Sequence, residues 1–345
     1  MATSNAIRLQ PDPAPRARGH VESHFLKAVA PDGQRAIWVK HTLLRPKAPE
    51  NAGVAEVWAI AFTRDNGPVA AAKSVFPLAD ARFEDGPFDY SIGPSRLTAE
   101  TAEGRAASSG HEITWSLDLE SLVPEFRPFP LASMYDGPFP RQKALTPVPS
   151  ARVNGEFTID GDLWTIDGWR GMQGHNWGEG HSERYAWVHC NAFQAGDGNG
   201  SGKGPALEKP DETWLEVMTG RVRVGGVLLP WLTVGALCLD GEIHSFNGAR
   251  ALTSRNLTVT TTRYRTTLRR GLHRLDLDVA TTPAAMAGLH YENPDGSMTH
   301  CLNSKLAEGT VTLSAPGRPT RTLYSDAFAL EIGTKDPDHG IRMRV

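Results

Sequence analysis

The sequence contains few cysteines. Among its 345 residues only Cys190, Cys238 and Cys301 are cysteines, and they lie far apart along the chain. An odd number of widely spaced thiols forms neither a complete disulfide framework nor a metal-binding or redox motif. The chain therefore fits a reducing compartment, and we predict a cytoplasmic location.

Long apolar runs and a surplus of basic residues are also missing. No stretch approaches the roughly 18 apolar residues that a membrane-spanning helix needs, and residues 1–18 have no apolar core like that of a signal peptide. The formal net charge is −3, and no Lys/Arg cluster alternates with aromatic residues. We therefore predict neither stable membrane insertion nor nucleic acid as a partner. The oligomeric state is unreadable from the sequence.

Several motifs of common enzymes are absent as well. There is no Gly-x-Ser-x-Gly elbow, no phosphate-binding loop of the Walker type and no dinucleotide fingerprint. The histidines His175, His181 and His189 lack the spacing of a His-Glu-x-x-His zinc site. We predict that the protein uses no metal and no organic cofactor, with these three imidazoles as the alternative ligand set for zinc or iron.

Short alternating strands bounded by turn dipeptides fill most of the chain. Residues 35–44, 55–63 and 111–119 alternate between two faces, and Asp-Gly or Asn-Gly pairs mark several turns between strands. No apolar period of 3.6 residues is sustained over three turns. About fifteen such strands predict an all-β protein of two barrels or sandwiches, with seven or eight strands each.

The distribution of prolines and glycines predicts the domain organisation. Residues 1–19 read as a flexible tail, residues 20–150 as an N-terminal β domain and residues 151–345 as a C-terminal β domain. The seven prolines of residues 124–149 predict an ordered crossing between the two sheet units. The glycine-rich residues 194–211 predict a mobile loop that can act as a lid, with a calcium-binding turn as the alternative.

Most of the unusual chemistry is concentrated near the middle of the chain. Five glycines between Gly168 and His181 predict tight, partly left-handed turns. Residues 185–193 then alternate as a strand whose small apolar face should pack on a core. The other face mixes aromatic rings with hydrogen-bonding groups, which is typical of a ligand cavity wall. That face carries Tyr185, Trp187, His189, Asn191 and Phe193.

The same stretch contains the candidate catalytic residues. His175, with Glu179 or His181 as its partner, is the predicted general acid or base, because histidine titrates near neutral pH. Asn176 could orient a substrate oxygen, and the aromatic face of Trp177 could stabilise a cation. The structural alternatives are histidines bonded to turn carbonyls, an asparagine that satisfies the backbone and a tryptophan in the core.

Five short motifs support a family resemblance. GMQGHNWG at residues 171–178, YAW at 185–187, CN at 190–191, NPDG at 293–296 and CLNS at 301–304 resemble the lipocalin-like superfamily. That group includes carotenoid 1,2-hydratases, kievitone hydratase-like proteins, tocopherol cyclases and some fungal Diels-Alderases. The resemblance implies two lipocalin-like β-barrel domains and large apolar substrates. Hydratase-like members tend to carry an acid two places before the asparagine of the motif, where this chain has Gly174.

The resemblance and the residues together predict two functions of different classes. One is a cofactor-independent enzyme, a hydratase or an isomerase/cyclase, that acts on a terpenoid, polyene or polyketide-like molecule by proton-driven hydration, dehydration, cyclisation or isomerisation. The other is a carrier that binds an apolar small molecule without changing it. The density of titratable groups beside aromatic rings favours the enzyme, since a carrier needs fewer of them.

Overall fold

The architecture is described from a computed structural model. It describes residues 5–9, 19–48, 51–83, 88–195, 207–221, 223–224, 227–248 and 255–345. These residues form two large antiparallel sheets and one short two-stranded ribbon. The predicted all-β, lipocalin-like fold class is confirmed.

The first sheet has eleven strands among the residues described. They are β1 (His20–Val29), β2 (Arg35–Arg45), β3 (Val54–Thr63), β4 (Gly67–Pro77), β5 (Ala81–Phe83), β6 (Asp89–Ile92), β7 (Ser95–Thr98), β8 (Thr101–Ser108), β9 (His111–Ser121), β10 (Gln142–Ile159) and β11 (Asp162–Gly178). Their spatial order is β4-β3-β2-β1-β11-β10-β9-β8-β7-β6-β5. The amide of Ala107 in β8 donates to Oγ of Ser74 in β4 at 3.0 Å, so the sheet curls into a nearly closed barrel.

The second sheet and the ribbon contain the remaining named strands. They are β12 (Arg184–Cys190), β13 (Gln194–Ala195), β14 (Trp214–Arg221), β15 (Arg223–Val224), β16 (Val227–Leu228), β17 (Leu232–Leu239), β18 (Glu242–Ser245), β19 (Arg255–Val259), β20 (Arg263–Arg270), β21 (His273–Ala280), β22 (Ala287–Glu292), β23 (Met298–Ser314) and β24 (Arg321–Thr334). The order in the sheet is β18-β17-β14-β12-β24-β23-β21-β20-β19, with β13 beside β24 and β22 beside β23. The ribbon pairs β15 with β16.

Helix is confined to short pieces in the described ranges. They are the α-helix α1 (Ser133–Asp136) and 3₁₀ turns at Leu78–Asp80, Pro210–Glu212 and Pro283–Ala285. None of the described helices has the length and apolar character needed to cross a membrane. The strands outnumber the predicted fifteen, because elements of two to four residues such as β5 and β15 are too short to show an alternating period.

Side chains on the strands of the first sheet alternate between two faces. One face forms the core of this sheet, and the other contacts the second sheet. On β2, Ile37 and Val39 point into the barrel core, as the two-residue period requires. Trp38 on the opposite face packs in a cluster with Leu289 and Tyr291 of the second sheet. The outer face of β1, β2 and β3 is therefore an internal layer of the protein, where it meets β22 and β23.

The proline-rich residues 124–149 differ from the predicted crossing between sheets. They lead from β9 to β10, which are neighbours in the first sheet, and Pro147 and Pro149 lie within β10 itself. β9 pairs with β10 only from Ala151 onward, and the register between β10 and β11 shifts on both sides of Val148. A strand edge with bulges tolerates proline, because the missing N–H has no partner to lose.

The change from one sheet to the other comes after the central motif. The first sheet ends at Gly178 and the second begins at Arg184, whereas the predicted domain boundary at residue 150 falls inside β10. Both β10 and β11 complete the first sheet, so the His-Asn-Trp-Gly residues belong to it. The division of the chain into two domains stays a prediction.

Two of the central glycines, Gly171 and Gly174, allow side chains of neighbouring strands to pack closely against β11. Residues 162–178 form the continuous strand β11 instead of the predicted succession of tight turns, although Gly168, Gly178 and Gly180 have the positive φ angles that the prediction includes. A Cβ on Gly174 would come within 2.2 Å of Cζ of Phe25, and one on Gly171 within 2.3 Å of Cγ2 of Val153. These glycines therefore let side chains from neighbouring strands lie directly on the backbone.

Part of the predicted N-terminal tail is ordered against the first sheet. The backbone amides of Arg8 and Leu9 donate to the carboxylate of Glu22 at 2.7 and 2.8 Å, and Leu9 is buried in the core. The rest of the predicted tail before Gly19, and residues 196–206 of the predicted mobile loop, lie outside the described residues.

Candidate functional site

A cavity of about 220 Å³ lies where the outer face of the first sheet meets the second sheet. The first sheet contributes Phe25, Trp38, Lys40, Gln142, Lys143, Ala144, Leu145, Gly174, His175 and Asn176, and the second contributes Tyr185, Trp187, Glu216, Met218, Leu232, Val234, Tyr291 and Glu331. Phe139 also lines the cavity and is 46% exposed, which places an opening near α1. The volume is slightly below the roughly 300–1,000 Å³ usual for small-molecule sites.

The strand β12 supplies part of the wall, as the alternation predicts. Tyr185 and Trp187 line the cavity, whereas Val188 and Cys190 on the opposite face are buried in the core of the second sheet. The Trp187 ring meets the Phe25 ring edge-on at a centroid distance of 5.5 Å. Two aromatic residues from different sheets thus meet at the cavity.

His189 and Asn191 share the face of Tyr185 and Trp187 but are not among the lining residues. Nε2 of His189 lies 2.9 Å from the carbonyl oxygen of Pro149. The amide of Asn191 donates to the carbonyl of Gly171 at 2.6 Å, and its oxygen accepts from Nζ of Lys27 at 3.1 Å. These two side chains tie the second sheet to the first, and their predicted role in substrate binding stays a prediction.

Glu216 is the buried acid of the cavity, and sequence reasoning missed it. Nε1 of Trp187 donates to one carboxyl oxygen at 3.1 Å, and the hydroxyl of Thr146 donates to the other. Burial raises the pKa of Glu216 to about 7, although both hydrogen bonds act against this shift. The available signal was a single carboxylate between Leu215 and Val217 in an otherwise apolar strand.

A second carboxylate, Glu331, is neutralised by a lysine. Nζ of Lys305 lies 2.9 Å from Oε1 of Glu331 and donates to Asn303 at 2.6 Å. The amide of Asn303 donates to the same Glu331 oxygen at 3.2 Å. All members of this group are buried or nearly so, and their mutual hydrogen bonds compensate for lost hydration.

Lys40 brings a positive charge to the cavity. It is 4% exposed, and its Nζ lies 3.6 Å from the centre of the Tyr291 ring. Burial lowers the pKa of Lys40 to about 8, with Cys301 and Glu331 opposing the shift. Sequence reasoning missed this residue too, although it shares the outward face of β2 with Trp38.

His175 is among the residues that line the cavity, but its side chain is buried within the first sheet. Its Nε2 is 2.9 Å from Oε1 of Glu22, and neither side chain has any exposed surface. The ring stacks between His24, at a centroid distance of 3.8 Å, and Trp177, at 4.5 Å. Burial lowers the pKa of His175, and Glu22 acts against this shift. Its predicted role as the acid or base stays a prediction.

Glu22 is held by four donors. Its carboxylate accepts hydrogen bonds from the backbone amides of Arg8 and Leu9, from Nε2 of His20 at 2.9 Å and from Nε2 of His175. Burial raises the pKa of Glu22, but the hydrogen bonds from His175 and His20, together with electrostatic interactions with His175 and His24, outweigh burial and hold the pKa well below its usual range. This cluster, Glu22 with His20, His24 and His175, is called the closed cluster below.

His181 reaches the cavity from the connection between the sheets. Its backbone amide donates to Oδ1 of Asn293 at 2.8 Å, and its Nδ1 lies 3.0 Å from the same oxygen. Burial lowers the pKa of His181 to about 3, with the charge of Lys40 adding to the shift. The imidazole is therefore neutral at neutral pH. The structure places it beside Tyr291, at a centroid distance of 5.1 Å.

The other predicted site residues are dispersed. Asn176 lines the cavity, whereas Trp177 packs with Tyr135 and Leu145 in a separate buried cluster. Glu179 lies 3.7 Å from Nε of Arg141 and is absent from the cavity wall. The predicted pairing of His175 with Glu179 or His181 is thus not seen among their hydrogen bonds in the described chain.

The closed cluster has the composition of a metal site but not its geometry. Ligand atoms of Glu22, His24 and His175 lie within 4.8 Å of one another. The lone pairs of an imidazole lie in the plane of its ring. The rings of His24 and His175 stack at a centroid distance of 3.8 Å, with an angle of only 20° between their planes. Their lone pairs therefore run side by side and cannot converge on one ion at the 2.0–2.1 Å that zinc requires. His181 and His189 bind other partners.

Comparisons with known proteins support the fold. No protein-family model and no curated protein matches the sequence. The crystal structure of CghA with Sch210972 matches with a TM-score of 0.56 at 14% identity, covering 92% of this chain and 88% of CghA. At this identity the likeness shows a shared fold.

Two further structures give lower scores. A putative AttH from Nitrosomonas europaea matches with a TM-score of 0.47 at 13% identity, over 97% of this chain and all (100%) of that one. Kievitone hydratase from Nectria haematococca matches with a TM-score of 0.47 at 10% identity, over 91% and 90%.

Proposed function

We propose that the protein is an enzyme that adds, removes or shifts a proton on a hydrophobic small molecule, and so hydrates, dehydrates, cyclises or isomerises it. The observation that supports this most is Glu216, a carboxyl with a pKa of about 7 at an aromatic cavity. A general acid or base works best when its pKa lies near the working pH. No metal or organic cofactor enters the proposal.

The proposed chemistry begins with the protonated form of Glu216. It gives its proton to an alkene carbon or a carbonyl oxygen of the bound molecule, and the carboxylate that remains is stabilised by the N–H of Trp187 and the hydroxyl of Thr146. The faces of Trp187 and Trp38 stabilise a cationic intermediate. The carboxylate then takes a proton either from the cationic intermediate or from the water that this cation captures, which completes the reaction and returns Glu216 to its protonated form.

The substrate class follows from the lining. Aromatic and aliphatic side chains dominate the wall, so we propose a terpenoid, polyene or polyketide-like molecule. Asn176 and Tyr185 are proposed to position its polar groups, since both line the cavity. CghA, which shares the fold, was crystallised with a small molecule, Sch210972, so such a fold can hold one.

Deuterium transfer tests this function. The purified protein is incubated with candidate polyenes and terpenoids, or with apolar extract of the source cells, in D₂O, and products are analysed by mass spectrometry. We expect a product that carries deuterium from the solvent, with or without added water. The Glu216→Gln variant keeps the size and the hydrogen-bonding positions of the side chain, and should lose about 10²- to 10⁴-fold in rate.

Two results would contradict the proposal. If Glu216→Gln retains the full rate, the acid lies elsewhere, and His175→Ala and His181→Ala become the decisive variants. If a molecule binds in the cavity and is recovered without deuterium or structural change, the protein is a carrier of apolar molecules.

A further inference from the structure

The ammonium of Lys40 has no hydrogen-bond acceptor and no ion-pair partner among the residues that the structure describes. Its side chain is buried and lines the cavity. An ammonium group carries three N–H donors, and a buried charged donor left without an acceptor is costly. The site is therefore incomplete without a group that accepts these hydrogen bonds.

Aromatic rings surround this ammonium. Nζ of Lys40 lies 3.6 Å from the centre of the Tyr291 ring, and 5.8 Å from those of Trp38 and Trp58. Ring faces attract a cation through their quadrupole and so keep Lys40 in place. They provide no lone pair for its N–H groups. The hydrogen-bonding positions of this ammonium are therefore available to a molecule bound in the cavity.

Nearby carboxylates are already used by other lysines. Glu331 lies 2.9 Å from Nζ of Lys305, and Glu56 lies 3.4 Å from Nζ of Lys73. Among the described residues, each of these two carboxylates thus has another lysine within ion-pair distance, and neither forms an ion pair with Lys40. His181, on the segment that connects the two sheets, is neutral at pH 7 because burial lowers its pKa to about 3.

We propose that Lys40 binds an anionic oxygen of the substrate, the carboxylate of an otherwise apolar acid. The proposed substrate is therefore an apolar molecule with one acidic oxygen group at the Lys40 end. This deepens the proposed function by naming the substrate class, and it rests on the cavity being the substrate site. The apolar body extends toward Trp187 and Glu216.

The charge of Lys40 links binding to proton uptake. With its pKa near 8, part of the population is neutral at pH 8, and an anion beside Nζ favours the charged form. The titratable groups around it are Glu56 from β3, Lys73 from β4, Tyr291 and Glu292 from β22, Cys301 and Lys305 from β23, Glu331 from β24 and His181. Binding of an anion at pH 8 should therefore take up a fraction of a proton.

The test compares dodecanoate with its neutral relatives methyl dodecanoate and dodecanol. Binding is measured by titration calorimetry in two buffers of different ionisation enthalpy at pH 7 and 8, and by tryptophan fluorescence. We expect the wild-type protein to bind dodecanoate at least about tenfold more tightly than the ester, as a buried charge-assisted hydrogen bond implies. Proton uptake should appear only with the acid.

Two substitutions attribute this preference to one lysine. Lys40→Met removes the charge but keeps an apolar stem, so it should bind the ester as before and lose the preference for the acid. Lys143→Met is the matched control, since Lys143 also lines the cavity but donates to the carbonyl of Pro140 at 2.5 Å. It should retain the preference.

Each outcome decides the proposal. Equal binding of acid and ester to the wild-type protein, no binding of dodecanoate, or a preference that survives in Lys40→Met would each overturn it. The wild-type comparison does not depend on the variant folding, and the melting temperature of Lys40→Met checks its fold. Because the readout is binding, a preference without turnover would preserve this inference while the proposed enzymatic function fails. Glu216→Gln should keep the preference.

Discussion

Two buried glutamates in this protein have opposite pKa shifts. Glu22 accepts hydrogen bonds from two backbone amides and two histidines, and its pKa is well below the usual range. Glu216 has the donors Trp187 and Thr146, and its pKa is raised to about 7. Both side chains are almost fully buried.

The difference shows that burial alone does not set the charge of an internal acid. Burial raises the pKa of both carboxyls, and the number and charge of the donors decide whether that effect prevails. The closed cluster commits its carboxylate to four donors and keeps it ionised. The cavity leaves Glu216 near its midpoint at neutral pH, where it can exchange a proton with a ligand.

The largest expected effect on stability comes from Glu22→Gln. The substitution replaces one carboxylate oxygen with an NH₂ group, which cannot accept the two hydrogen bonds that this oxygen receives. We therefore expect a loss of roughly 3–5 kcal/mol in the free energy of unfolding. Urea denaturation at pH 7 measures it. A loss below about 1 kcal/mol would show that the four donors find other partners.

The same cluster predicts how wild-type stability depends on pH. The folded pKa of Glu22 is lower than its unfolded value, so its contribution is complete above about pH 4.5 and is lost as the pH falls further. His24 and His41 have folded pKa values below 6.5. The unfolded chain therefore binds protons before these two imidazoles do in the folded protein, and their contribution to stability falls as the pH drops below 6.5.

His175→Ala distinguishes the closed cluster from the cavity. The imidazole fills a fully buried position between two rings and donates to Glu22, so its loss should cost roughly 2–4 kcal/mol of stability. Turnover per folded molecule should stay near the wild-type value. If the sequence-based assignment of His175 as the acid is correct, the rate will instead fall about 10²- to 10⁴-fold.

Glu216→Gln should change stability in the direction opposite to Glu22→Gln. The folded pKa of Glu216 is above its unfolded value, so the contribution of this carboxyl to wild-type stability is complete below about pH 4.5 and is lost as the pH rises toward 7. The variant removes this penalty. We expect a gain of roughly 2–3 kcal/mol at pH 8 and little change at pH 4.5. Equal stability of both proteins at the two pH values would contradict the raised pKa.

Trp187→Phe examines the hydrogen bond to Glu216. Phenylalanine keeps a ring at the cavity wall but cannot donate to Oε1, and that bond lowers the pKa of Glu216. The ionisation in the pH–rate profile should move upward, by up to about one unit for a single lost bond. Quenching of fluorescence by bound apolar ligands should also weaken. An unchanged pH profile and unchanged binding would make this residue purely structural.

Glu179→Gln should have the smallest effect. Its carboxylate is partly exposed and lies 3.7 Å from Arg141, and exposed pairs of this kind contribute about 0–1 kcal/mol. We expect almost unchanged unfolding and an unchanged pH–rate profile. A displaced profile would return Glu179 to the catalytic role that the sequence predicts.

Local patterns predict the parts of the site that one strand determines. The alternation of residues 185–193 correctly separates the core residues Val188 and Cys190 from the side that carries Tyr185 and Trp187. A two-residue period cannot tell a cavity wall from a contact between sheets. The period therefore groups His189 and Asn191 with the wall, although they bond to the backbone of β10 and β11.

The remaining residues depend on contacts between distant parts of the chain. Burial raises the pKa of Glu216 only once the chain has folded around it, with Thr146 and Trp187 as its hydrogen-bond donors. Lys40 contacts Tyr291 only when the two sheets pack together. No sequence period reports such pairs. The sequence predicts the fold class because alternation and turn dipeptides are local signals. It does not predict the first part of β10, because prolines usually exclude a strand and only the unpaired edge of β10 tolerates them here.

The position of β1 between β2 and β11 has a consequence for biosynthesis. β1 begins at His20 and its partner β11 ends at Gly178, so the first sheet cannot complete until the ribosome has made about half of the chain. Pairing over such a sequence distance is slow. Until the second sheet follows, the outer face with Trp38 and Trp58 is uncovered, and the nascent chain is then most exposed to aggregation and to chaperones.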